Sequence, residues 1–150
     1  MIFKIVGLRE LNVYNLLETS ESIILITLNH LISGIIMNKI ETTLEKVSSD
    51  IGSFYKYDQH HFIVMNANDL GDKIEVQWFF HDYDDAKNVT MFWLLCSDTD
   101  LIPSINDSVA SAWVAESEIA DLLGLDIENA IEGFVLEHDS PIAPLRKKKK

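Results

Sequence analysis

The sequence predicts an α+β fold, in which an antiparallel sheet of three to five strands packs against a long helix at about 21–49 and one or two shorter helices. Three observations support this class. Apolar residues recur through 21–49 at the three- and four-residue steps of a helix face. Apolar and polar residues then alternate at 74–80, as in a half-buried strand. Residues 89–96 form a short apolar run with the length of a buried strand.

The long helix is predicted from one apolar face in the first third of the chain. That face comprises Ile24, Leu28, Leu31, Ile32, Ile35, Ile36, Ile40, Leu44 and Val47. Gly34 is expected to bend the helix or divide it, because glycine costs a helix interior roughly 1 kcal/mol relative to alanine. The most apolar stretch, 23–37, is shorter than the about 20 apolar residues that a membrane-spanning helix needs. We therefore expect a core helix rather than a membrane span.

The middle of the chain predicts a meander of three antiparallel strands. Residues 60–66, 74–80 and 89–96 supply the strands. The segment 68–72 has the composition of a tight turn, and 81–88 joins the last two strands. We expect the long helix to cover this meander.

A shorter helix is predicted after the loop 97–106. Asp107 or Ser108 can cap its first turn, and Gly124 suits its end at about residue 123. Its apolar positions are only roughly periodic, so two short helices are an alternative.

The last third of the chain completes the predicted domain. Residues 130–137 fit no single pattern, and we favour a strand that adds to the sheet. Residues 140–150 contain two prolines and the basic run 146–150, which predicts a flexible basic tail. We therefore expect one α+β domain at 1–139.

Negative charge dominates the composition. The chain of 150 residues has a net charge of -12, although five of its twelve basic residues lie in 146–150. Between Lys87 and Arg146 there is no Lys or Arg, whereas eleven Asp and Glu residues occur. Such a field repels phosphates, which argues against direct nucleic-acid binding.

The acidic residues of the second half are the candidate binding residues, because carboxylates without neighbouring cations are available to a partner of opposite charge. Phe79 or Tyr83 is a candidate aromatic anchor within an acidic rim. The predicted partner-binding residues are Asp82, Tyr83, Asp84, Asp85, Asp98, Asp100, Asp107, Glu116, Glu118 and Asp121. The alternative is that the acidity serves solubility alone.

Catalytic and metal sites find little support in the sequence. The cluster His81–Asp85 lacks the glycine and glutamate of a calcium-binding loop, and Asp98-Thr99-Asp100 is too short to indicate a nucleotide–metal site. The single cysteine, Cys96, lies in an apolar run and is expected to be a buried hydrophobic residue. The chain begins without a recognisable signal peptide. We therefore expect a cytoplasmic protein that is not an enzyme and has no catalytic residues, metal or cofactor.

The acid-only stretch 98–139 and the loop 82–85 resemble the immunity proteins of bacterial toxin systems, such as those of contact-dependent growth inhibition. The resemblance is one of general character, without a signature motif. It implies that the protein blocks a basic nuclease toxin by pairing carboxylates with the toxin's cations, with no membrane contact. The oligomeric state stays open. Three alternatives also remain: a nucleic-acid-mimicking inhibitor of a host defence enzyme, a metal-dependent enzyme using acidic loop carboxylates, and a structural subunit.

Overall fold

The computed structural model describes residues 36–147, which contain four strands and two helices. Along this part of the chain, segments with the apolar spacing of a strand alternate with segments that have the spacing of a helix. The elements are β1 (Ile36–Glu41), α1 (Val47–Phe54), β2 (His60–Asp69), β3 (Ile74–Asp82), β4 (Asn88–Cys96) and α2 (Ala112–Leu123).

The four strands form one mixed sheet in the order β1-β4-β3-β2. The pairs β2–β3 and β3–β4 are antiparallel, and they lie where the meander was predicted. The turn between β2 and β3 closes because Asp69 accepts a hydrogen bond from the backbone N–H of Gly71 at 2.8 Å. Gly71 has a φ of 108°, which favours glycine. β1 pairs with β4 in parallel, so the prediction of a wholly antiparallel sheet is wrong.

The predicted helix at 21–49 is wrong in the described part of its range. Residues 21–35 lie outside the described residues, 36–41 form β1, and a helix begins only at Val47. The spacing of the apolar residues did not distinguish a helix from a strand, because residues four apart share a face in both structures. Ile36 and Ile40 therefore fit both periods, and pairing with β4 selects the strand.

The core lies between one face of the sheet and the two helices. Every second residue of β3 is buried on this face, and Trp78 and Phe80 are both fully buried. Val47 and Ile51 of α1 belong to the same apolar cluster. The ring of Phe54 meets that of Phe80 edge to face at 5.5 Å, a favourable aromatic geometry. Phe54, the last residue of α1, therefore packs this helix against the sheet.

Cys96, at the end of β4, is buried as expected from its apolar surroundings. Its thiol donates a weak hydrogen bond to the carbonyl oxygen of Ile74 at 3.7 Å. Burial raises the pKa of the thiol, which keeps it protonated and unreactive.

The second half departs from the sequence prediction at two points. The predicted caps Asp107 and Ser108 are wrong, because α2 begins only at Ala112 and is preceded by Ser111, which makes no side-chain capping hydrogen bond. α2 ends at Leu123, and Gly124 follows in the left-handed conformation with φ of 60°, as predicted. Residues 130–137 form turns and bends, so the predicted strand there is wrong. The physical reason is local, because Gly133 has a φ of 70° and a carboxylate of α2 takes the neighbouring N–H groups that a sheet would use. The limits 1–139 and 140–150 for domain and tail stay predictions.

Candidate interaction surface

The side chain of Glu116 anchors α2 to the loop that precedes it. It is only 2% exposed, and it accepts hydrogen bonds from the N–H of Ile105 and the hydroxyl of Ser104, both at 2.8 Å. Burial raises the pKa of this carboxyl above its ordinary value, while the two hydrogen bonds oppose that effect. Glu116 therefore holds α2 and the loop at 104–105 together inside the protein.

Further along α2, Ser117 and Asp121 hold the chain that follows the helix. The hydroxyl of Ser117 accepts a hydrogen bond from the N–H of Ile131 at 3.0 Å. Asp121 accepts hydrogen bonds from the N–H groups of Gly133 and Val135, both at 2.8 Å. These backbone hydrogen bonds, with that from Val135 the largest cause, hold the pKa of Asp121 below its usual value. We call residues 131–136 the pinned loop.

Arg146 fixes the end of the described chain. Its guanidinium lies 3.0 Å from a carboxylate oxygen of Asp69 and 3.1 Å from one of Asp98, and it also donates to the carbonyl oxygen of Leu123. Hydrogen bonds from the N–H of Gly71 first, and then from that of Lys147, lower the pKa of Asp69, and the charge of Arg146 adds to this effect. Arg146 thus connects the sheet, the loop after β4 and α2.

The acidic residues after β3 and β4 are largely occupied by local contacts. Asp82 accepts a hydrogen bond from the amide of Asn88, Asp85 one from the N–H of Lys87, and Asp100 one from the N–H of Ser97. With Asp98, Glu116 and Asp121, six of the ten predicted binding residues serve as acceptors within the chain. The other four, Tyr83, Asp84, Asp107 and Glu118, are exposed. The structure thus distributes the ten residues over several elements, and their part in partner binding stays a prediction.

Of the two candidate anchors, Tyr83 is exposed and lies beside two histidines, whereas Phe79 is partly buried in β3. The ring centroids of His61 and His81 are 5.0 Å apart across β2 and β3, and Tyr83 lies 6.0 Å from His61. His60 faces the other side, where its ring stacks on Phe54 at 4.2 Å. Adjacent histidines thus point to opposite faces of the strand, as expected. Within residues 36–147, no group of three or more His, Cys, Asp and Glu side chains is placed to hold a metal ion.

A cavity of about 760 Å³ separates the end of α2 from the following segment. Its acidic lining residues include Asp121, Asp126, Glu132 and Glu137, and none of its lining residues is Lys or Arg. His138 contributes the one imidazole of this lining. Of these carboxylates, Asp121 is already bound to the pinned loop.

An exposed apolar surface, which the sequence did not reveal, lies where α2 meets the pinned loop. Trp113, Val114, Ile131, Phe134 and Val135 are each between 36% and 51% exposed. The rings of Trp113 and Phe134 meet edge to face at 5.1 Å. We call these five residues the Trp113 patch. No local signal in the sequence marked these residues as exposed, because adjacent helix residues point about 100° apart and can both lie within a buried stripe.

None of the helices in residues 36–147 is both long enough and apolar enough to span a membrane. A family described as "Respiratory-chain NADH dehydrogenase, 30 Kd subunit" matches residues 38–150. A chain in the "Structure of the membrane-bound sulfane sulfur reductase (MBS), an archaeal respiratory membrane complex" has a TM-score of 0.62 and 15% identity, covering 73% of this chain and 67% of that one. At this identity the likeness shows a shared fold alone. No curated protein matches the chain.

These matches overturn the functional prediction drawn from charge. The resemblance to toxin-system immunity proteins is wrong, and so is the predicted basic nuclease toxin as partner, because the matching family is a respiratory one. The physical reason is that net acidity is a general property of a surface, which many unrelated proteins share. A charge pattern without a motif therefore did not identify the family.

Proposed function

Because the chain belongs to the family of the respiratory-chain NADH dehydrogenase 30 Kd subunit, we propose that it is a non-catalytic subunit of a membrane-associated respiratory oxidoreductase complex. One observation carries this proposal, the family match over residues 38–150. That range includes the sheet, α2, the pinned loop and Arg146. The shared fold with a chain of an archaeal respiratory membrane complex supports the same proposal.

The ligands available to the chain support a role without a redox centre of its own. Iron–sulfur clusters are generally held by four cysteine thiolates. The 150 residues contain one cysteine, and burial in the core raises the pKa of its thiol. In our proposal, the redox groups therefore belong to sibling subunits, and this chain positions them.

The charge of the chain supports a place in the aqueous part of the assembly. A net charge of -12 is costly to transfer into hydrocarbon, since isolated charges there lose their hydration. We propose that the chain is cytoplasmic and reaches the membrane through its siblings. In this position, its acidic surface keeps the part of the complex outside the membrane in solution. The same surface attracts basic subunits and repels acidic ones.

Assembly in the source organism tests this proposal. The chain is tagged at its gene, membranes are solubilised in mild detergent, and complexes are separated on a blue-native gel. We expect the tag to migrate with dye-reducing oxidoreductase activity, and deletion of the gene to remove that band until the wild-type gene is restored. A tag that migrates only at the size of the free chain, with the activity band unchanged by deletion, would exclude a subunit role.

A second assay addresses the non-catalytic role. The purified chain and the purified complex are each supplied with NADH and ferricyanide at equal molar amounts. We expect reduction by the complex and none above the buffer background by the chain alone. Turnover by the isolated chain would show that it carries its own redox chemistry.

A further inference from the structure

The Trp113 patch is held rigidly although it is exposed. Trp113, Ser117 and Asp121 lie four residues apart on one stripe of α2, and the pinned loop lies along that stripe. The hydrogen bonds to Asp121 fix the backbone on both sides of Phe134. An aromatic side chain that is fixed before binding loses little entropy when a partner arrives. Hydrogen bonds to Ser117 and Asp121 therefore hold apolar side chains in place although these side chains face solvent.

The rim of the patch is acidic, and neither of its carboxylates forms a salt bridge with another residue in 36–147. Glu118 lies one turn after Val114 on α2, and Glu132 lies between Ile131 and Gly133 in the pinned loop. Both carboxylates are exposed. Residues 88–145 contain no Lys or Arg that could neutralise them. An apolar, aromatic centre with a charged rim is the usual composition of a protein interface.

We propose that the Trp113 patch docks a sibling subunit of the complex, through an apolar side chain that packs against Trp113 and Phe134 and is flanked by Lys or Arg. This inference rests on the proposed function and adds the surface and the chemistry of the contact. The centre supplies the affinity, and the rim selects the partner, so the sibling requires only a few cations beside its apolar group. A second copy of this chain is disfavoured because its equivalent patch would bring Glu118 and Glu132 against the same two residues.

Photo-cross-linking in the intact complex tests the surface. Phe134→p-benzoylphenylalanine is introduced into the full chain in the source organism, and the cross-linked peptide is identified after purification. The matched control carries the same group at Tyr57, an 82% exposed side chain just after α1. We expect a cross-link from position 134 to one sibling, at a segment with an apolar residue beside Lys or Arg, and none from position 57. A cross-link only to a second copy, or one to a sibling from position 57 alone, would overturn the inference.

Charge reversal at the rim gives an independent test. The double variant Glu118→Lys with Glu132→Lys is expected to lower the sibling retained after a salt wash by about tenfold or more, because like charges across an interface cost several kcal/mol. The control variant reverses Glu45 and Asp58, which are also exposed and lie just before and just after α1. Circular dichroism spectra must match the wild type in both variants. Equal retention in both variants would refute the docking site, whereas a wild-type chain found in no complex would refute the proposed function itself.

Discussion

The buried carboxylate of Glu116 provides the sharpest test of how α2 is held in place. Glu116→Ala removes the acceptor for the buried N–H of Ile105, whereas Glu116→Gln keeps an oxygen there and places an amide towards Ser104. Leaving the Ile105 N–H without a partner costs about 1–3 kcal/mol. Deleting the one methylene group that Ala lacks adds roughly 0.8 kcal/mol. We therefore expect the Ala variant to lose about 2–4 kcal/mol and the Gln variant at most about 1 kcal/mol.

The pH dependence of the same two variants has a definite sign. The pKa of Glu116 is higher in the folded state than its ordinary value of 4.5, because burial disfavours the charged form. The unfolded chain therefore ionises first, and the stability contributed by this group falls as pH rises above that value towards the folded pKa. Gln does not ionise, so the stability difference between the two proteins should shift in favour of the Gln variant as pH rises above 4.5.

Urea unfolding followed by tryptophan fluorescence, at several pH values, measures both effects. Similar losses for Ala and Gln would show that the acceptor for Ile105 is not what stabilises this region. A Gln variant that loses stability relative to the wild type as pH rises would contradict the assignment of burial as the dominant cause of the raised pKa.

Three further changes test the C-terminal half. Arg146→Ala should lower the unfolding temperature by about 5 °C, because it removes the ion pairs with Asp69 and Asp98. Lys147→Ala should leave the unfolding temperature unchanged. Equal shifts for the two variants in differential scanning fluorimetry would contradict this prediction. Asp121→Ala should raise the rate of amide hydrogen exchange of residues 133–136 at least about tenfold. In the wild type, the same rise in exchange should appear only as pH falls below 3.8, the ordinary pKa of an Asp side chain. Unchanged exchange in the variant would show that Asp121 does not hold the loop. Gly133→Ala should cost roughly 1 kcal/mol through its positive φ alone, since an added Cβ meets nothing within 4 Å; a larger loss in urea unfolding would indicate a missed contact.

Strands β2, β3 and β4 could be predicted because their patterns are long enough to fix one period, and α2 could be predicted mainly from the glycine at its end. The alternation in β3 extends over its whole length, and Gly124 marks the end of α2 by a conformation that glycine favours. β1 could not be predicted in this way. Its six residues are all exposed, and its apolar spacing fits either period, so only the parallel pairing with β4 decides its structure.

The pinned loop and the Trp113 patch depend on contacts that no local pattern contains. Asp121 resembles any other surface carboxylate in the sequence, yet it organises N–H groups 12 to 15 residues further along the chain. Residues 130–137 therefore could not be distinguished from a strand. Composition likewise indicated a binding protein without indicating its family, since carboxylates that bind the chain's own backbone and those that face solvent are alike in a charge count.

Native mass spectrometry of the complex, isolated through a tag on this chain, tests whether the chain is a non-catalytic subunit. We expect one assembly that contains the chain together with redox-active sibling subunits. We also expect partial dissociation to release the chain without any iron–sulfur cluster or flavin. If the chain is recovered only alone or as a homo-oligomer, or leaves the assembly with a bound redox group, then it is not the non-catalytic subunit proposed here.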